Sequence, residues 1–171
     1  MRIRALVLGS FSIVLIIVFF TVFRGMSNFL NAFLVPMTLF VFLKDQSKKE
    51  IMTVFIAALF LVLFLFQMQT IFFIFYGLVS MILIELNKKD LSVFLSTIIV
   101  TFSLSLSFYL ATVMTDYLFM TKIREFTIIM VGGSPMLYAL YLLIFGLLMS
   151  LSMMIAIRLF TKIGKSWRML K

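Results

Sequence analysis

The chain has no cysteine and no histidine in its 171 residues. That excludes thiol nucleophiles, disulfides, haem attachment and imidazole ligation of metals together. Acidic residues are almost as scarce. There are six, and five of them (Asp45, Glu50, Glu85, Asp90 and Glu125) lie beside or near basic residues in short charged segments, so only Asp116 stands apart. A membrane hydrolase or transferase needs a nucleophile with its base, or carboxylates gathered around a metal. Carboxylates scattered at segment ends read instead as anchors of helix termini. No catalytic residue, metal site or cofactor is expected. No ionisable residue sits in the middle of an apolar run either, which argues against a proton relay or pump.

Charge of any kind makes up only 12% of the residues, against 64% hydrophobic ones, and the mean hydropathy is +1.26. So few polar side chains cannot cover a water-facing surface. The chain therefore reads as an all-α integral membrane protein. Its net charge of +9 is a matter of orientation rather than of nucleic-acid binding, because basic residues accumulate on the cytoplasmic side of a bilayer. The start, "MRIRALVLGSFSIVLIIVFFTVF", has the basic opening of a signal peptide, but its apolar run from Ala5 to Phe23 is followed by no small-residue cleavage site. It is read as a retained first helix.

Five long uncharged runs follow one another: Ala5–Phe23, Gly25–Leu43, Ile51–Ile84, Leu91–Thr115 and Phe126–Ile157. The third has 34 residues and as one helix would be about 50 Å long, against roughly 30 Å of hydrocarbon. It is expected to be a hairpin turning at "QMQ", Gln67 to Gln69. The last run is broken by "VGGSP", Val131 to Pro135, where paired glycines and a proline interrupt a helix. The result is a single domain over residues 1–171, a bundle of six transmembrane helices at about 5–23, 28–43, 51–66, 70–86, 91–115 and 136–157. With both termini cytoplasmic, twelve of the fifteen basic residues fall inside and only Arg24, Lys122 and Arg124 outside.

The hydroxyls of "STIIVTFSLSLSFYLATVMT", Ser96 to Thr115, are read chiefly as bonds to their own helix or glue between helices, and the many Phe and Met residues chiefly as lipid-facing and gap-filling groups. By topology, a set of mixed-character residues gathers near the outer face: Asn28, Asn31, Gln67, Gln69, Asp116, Tyr117, Lys122, Arg124, Ser134 and Tyr138. They are the candidate ligand pocket and its lid. In "TDYLFMTKIREF", Asp116 closes the fifth helix, where the macrodipole disfavours an anion. It is expected to pair with Lys122 or Arg124, with Tyr117 and Phe119 turned inward. On the first helix, Ala5 and Gly9 are spaced to admit a close partner helix.

This layout resembles the substrate-binding S components of energy-coupling-factor (ECF) transporters. The resemblance rests on six helices in a short chain, both termini inside, the Ala5/Gly9 pair, "LVP" at Leu34 to Pro36 and "YGLV" at Tyr76 to Val79 before a basic loop. It implies a subunit of a bacterial cytoplasmic membrane that binds a vitamin-like small molecule under its outward loops. It also implies that Ala5 and Gly9 dock on a coupling protein driven by ATPases. The chain is similar in size and hydrophobicity to the MreD family as well, which implies the alternative of a non-catalytic scaffold subunit in a cell-envelope complex. Both expectations carry the membrane and further membrane subunits as partners, and neither includes nucleic acid.

Overall fold

A computed structural model describes residues 3–23, 28–89 and 91–169, which among them form seven α-helices and no strand. They are α1 (Ile3–Val22), α2 (Asn28–Leu43), α3 (Lys48–Leu65), α4 (Gln67–Lys88), α5 (Val93–Phe119), α6 (Ile123–Met130) and α7 (Pro135–Met169). Four stretches, Ile3–Val22, Gln67–Lys88, Val93–Phe119 and Pro135–Phe160, are long and apolar enough to cross a membrane, and α2 is a shorter apolar helix. Large apolar side chains cover much of the outside, including Phe60 and Phe64 of α3, Phe94, Phe102 and Leu106 of α5, and the stripe Leu140, Ile144, Leu148 and Ile155 of α7. A surface of this kind is stable against lipid rather than water. The protein is membrane-embedded and helical.

The 34-residue apolar run is indeed a hairpin, but its turn is Phe66 rather than the amide cluster. Phe66 leaves the helical region (φ −142°, ψ 59°). Its N–H closes α3 on the Val62 carbonyl at 2.7 Å, and its carbonyl opens α4 by accepting from Gln69 and Thr70. One extended residue is enough to reverse the chain, so Gln67 and Gln69 become the first turn of α4. The two arms then run antiparallel. Phe55 stacks on Phe73 with ring centroids 5.3 Å apart, and Gly77 is required beside it because a Cβ there would fall inside the Phe55 ring. At the far end Lys48 reaches Glu85 at 3.3 Å.

Local signals fix the helix ends. Ser47 and Glu50 form a reciprocal capping box at the start of α3, and the Ser92 hydroxyl accepts from Leu95 N–H at the start of α5. Pro36 lies inside α2, where it forgoes one backbone bond. Gly132 (φ 105°) and Gly133 (φ 75°) close α6. Gly133 N–H bonds the Ile128 carbonyl and Gly132 N–H the Ile129 carbonyl, the paired pattern of a helix end that needs glycine.

At the centre is α4, packed against α2, α3 and α5, with Phe73, Tyr76 and Val79 fully buried. More than half of its span is buried, compared with 28% for α1 and for α7. The helices α5 and α7 are held antiparallel by two hydroxyls. Ser105 Oγ donates to the Leu142 carbonyl at 2.8 Å, and Ser150 Oγ to the Thr97 carbonyl at 2.9 Å. Gly146 permits the approach, since a Cβ there would lie 2.7 Å from the Thr101 carbonyl. Thr97, Thr101, Ser103 and Thr112 bond carbonyls of their own helix, as expected for hydroxyls in an apolar helix.

Four expectations are corrected. The fifth helix does not end at residue 115: α5 continues to Phe119, and a short helix, α6, follows it. The last helix is longer than residues 136–157 because nothing after Ile157 stops it before Met169. Tyr117 does not turn inward; it is 83% exposed, and Phe119 is exposed too. Finally, the close approach at Ala5 and Gly9 is made within the chain. Ala5 is fully buried, and a Cβ on Gly9 would lie 2.5 Å from Val54 of α3. Gly9 meets Val54 near the starts of the two helices and Phe20 meets Phe66 at their far ends, with ring centroids 6.1 Å apart, so α1 and α3 start at the same end of the bundle.

Candidate ligand cavity beneath α6

The contacts above sort the helix ends. The starts of α1, α3 and α5 and the ends of α4 and α7 lie together, tied by Gly9 to Val54, Lys48 to Glu85, and Ser150 to Thr97. The opposite end gathers the starts of α2, α4 and α7, the end of α5, and α6. A cavity of about 690 Å³ opens there.

Its walls come from five helices. Phe29 of α2, Met68, Gln69 and Phe72 of α4, Phe108 and Thr115 of α5, and Tyr141 of α7 form the body. Lys122 and Ile123, Phe126, Thr127 and Met130 of α6, with Val131, form the cover. The aromatic side chains brace one another: Phe29 stacks on Phe108 at 5.4 Å, Phe72 lies 5.9 Å from Phe108, and Tyr141 meets Phe29 edge-on at 6.4 Å. Edge and offset contacts of this type hold rings in fixed orientations.

The cover is positioned by Asp116. Its carboxylate accepts the Thr121 hydroxyl at 2.6 Å, Ile123 N–H at 2.8 Å and Arg124 N–H at 2.9 Å. Ile123 and Arg124 are the first two residues of α6, whose N–H groups have no partner within their own helix. A carboxylate at that positive helix end is stabilised by the macrodipole as well as by the hydrogen bonds. The expected pairing of Asp116 with the Lys122 or Arg124 side chain is thus replaced by backbone capping. Lys122 instead lies 3.6 Å from Glu125, with both side chains largely in solvent, a contact of small energy. Met120 in the left-handed region (φ 52°) on one side and the Gly132–Gly133 pair on the other bracket α6.

Of the ten residues expected at this site, the structure puts Gln69 and Lys122 in the cavity wall. The others stand around it. Asn31 is fully buried and donates to the Phe23 carbonyl at 3.0 Å, tying α2 to the end of α1. Tyr138 is buried, with its hydroxyl 3.4 Å from that of Thr112. The Ser134 hydroxyl accepts Met136 N–H in the first turn of α7. Asp116 holds the cover, and Gln67, Tyr117 and Arg124 are exposed. Asn28 begins α2, and its side chain lies outside the described residues. The rings that make most of the wall belong to a Phe and Met content that composition assigns chiefly to lipid contact and gap filling.

Two polar atoms in the wall, Gln69 Oε1 and Thr115 Oγ1, are buried without a hydrogen-bond partner. Among the described residues no three His, Cys, Asp or Glu side chains converge. The cavity offers amide, hydroxyl and ammonium groups, which suit hydrogen bonding and charge pairing rather than metal ligation. No family model, curated protein or solved structure matches the chain.

Proposed function

We propose that this chain is a non-catalytic, substrate-binding membrane subunit of a small-molecule uptake system, similar in role to the ECF S components. It would lie in a bacterial cytoplasmic membrane with six crossings and both termini inside, working with coupling and ATP-hydrolysing subunits on other chains. The cavity beneath α6 carries the proposal. Its volume of about 690 Å³ is within the range of small-molecule sites, which are mostly apolar with a few convergent polar groups. It also lies at the end of the bundle opposite the loops that hold most of the basic residues, the outer end by the positive-inside rule.

A non-catalytic scaffold subunit is the second reading. A groove of about 460 Å³ between α5 and α7, walled by residues such as Phe94, Phe102, Leu147 and Leu151, favours it, because an apolar helix of another subunit would fit there.

The deciding experiment is native mass spectrometry of the full chain released from its host membrane, followed by solvent extraction of what it carries. The transport reading expects a small molecule retained by the wild type and lost from Thr127→Trp, which fills the cavity from α6. If a protein partner is retained and no compound is, the scaffold reading replaces it.

A further inference from the structure

The cavity wall also specifies the kind of molecule that fits, an inference that rests on the ligand-site reading above. We propose that the site selects a monoanionic aromatic amphiphile. Its ring lies among Phe29, Phe72 and Phe108, its acidic group faces Lys122 at the rim, and an O–H or N–H donor reaches Gln69 and Thr115 at the wall.

Each part has its own observation. Gln69 Oε1 and Thr115 Oγ1 are buried and unpartnered, a costly state that native proteins keep rarely. Thr115 is fully buried, and it forms no bond of the kind that ties Thr97, Thr101 and Thr112 to their own helix. An amide oxygen can only accept, so its missing partner must be a donor. Phe29, Phe72 and Phe108 line the wall together, and a cluster of rings accepts a further aromatic ring through edge or offset contacts more readily than a branched chain. Among the described residues Lys122 is the one charged side chain in the wall, and its contact with Glu125 at 3.6 Å is solvent-exposed, so its charge remains available to an anion. A single cation among the described residues of a largely apolar wall also disfavours other classes. A sugar would bury hydroxyls without partners, and a polyphosphate would bury charge without compensation.

The test uses the purified full chain in lipid nanodiscs and four probes: 6-hydroxy-2-naphthoate, 6-methoxy-2-naphthoate, 2-naphthol and decanoate. Binding is measured by calorimetric titration, with empty nanodiscs subtracted. The hydroxy acid is expected to bind at least tenfold more tightly than each of the other three. Gln69→Leu should erase its advantage over the methoxy acid, Lys122→Met its advantage over 2-naphthol, and melting temperatures identify any variant that fails to fold. Thr115→Val probes the same donor contact should Gln69→Leu misfold. Saturable binding of the probes with no such preferences, or with preferences that survive these substitutions, overturns the proposed ligand class and leaves the cavity as a site. No saturable binding of any probe to the wild type removes the site, and the ligand class with it.

Discussion

The carboxylate of Asp116, in the last turn of α5, accepts the backbone N–H of Arg124 at 2.9 Å and that of Ile123 at 2.8 Å. An anion near the carboxyl end of one helix is thereby moved to the amino end of the next, where the backbone field favours it. The same bonds orient α6 over the cavity. The side-chain charges of Lys122 and Arg124 are not needed for this.

Removing the carboxylate should therefore release the start of α6 and little else. In Asp116→Ala, hydrogen exchange at Ile123 and Arg124 is expected to speed up about 10- to 100-fold, the equivalent of roughly 1–3 kcal/mol for backbone donors left without an acceptor. Asp116→Asn keeps one acceptor oxygen and should fall between. Lys122→Met and Arg124→Met should leave exchange at these two amides unchanged, whereas slack amides in those variants would return the role to side-chain pairing.

The α3–α4 hairpin depends on the absence of a side chain at Gly77. Gly77→Ala drives a methyl into the Phe55 ring and is expected to cost about 1–3 kcal/mol in stability, as overpacking does. Since the collision is with that one ring, Gly77→Ala combined with Phe55→Leu should cost clearly less than the sum of the two single changes. Thermal unfolding in mild detergent measures all three, and strict additivity would mean that the two residues do not meet.

Gly9 makes a similar test of where the small-residue face of α1 is spent. It packs on Val54 of the same chain, so Gly9→Leu should lower the melting temperature of the isolated protein. A variant that melts like the wild type but loses a co-purifying subunit would instead mean that the face serves another chain.

Sidedness can be read directly, because the chain has no cysteine of its own. Cysteines introduced at Gln46 and at Lys88 should resist an impermeant thiol reagent in intact cells, and one at Lys122 should react. Lys48 and Glu85 are joined at 3.3 Å, so the first two positions must behave alike. Labelling of either from outside would invert or break the six-crossing arrangement.

The sequence by itself determined the class of the protein, the hairpin in the long apolar run and the break at Gly132–Gly133. These follow from amounts and lengths: too little charge for a water-facing surface, a run too long for one crossing, and paired glycines that take up positive φ without steric cost. It also marked Asp116 as a residue needing compensation and grouped Gln69 with Lys122, which the structure brings into one cavity wall. Only the tertiary structure decided which groups supply that compensation, because the N–H groups of Ile123 and Arg124 carry no mark in the side-chain pattern. The same holds for the rings. Phe29, Phe72 and Phe108 are indistinguishable in sequence from Phe60, Phe64 and Phe94, since a membrane protein places apolar side chains both toward lipid and toward its own core. Which of them wall a cavity depends on the rotation of five helices about their axes, and that rotation is set by packing contacts such as Gly77 on Phe55 and Ser105 on Leu142 rather than by hydropathy.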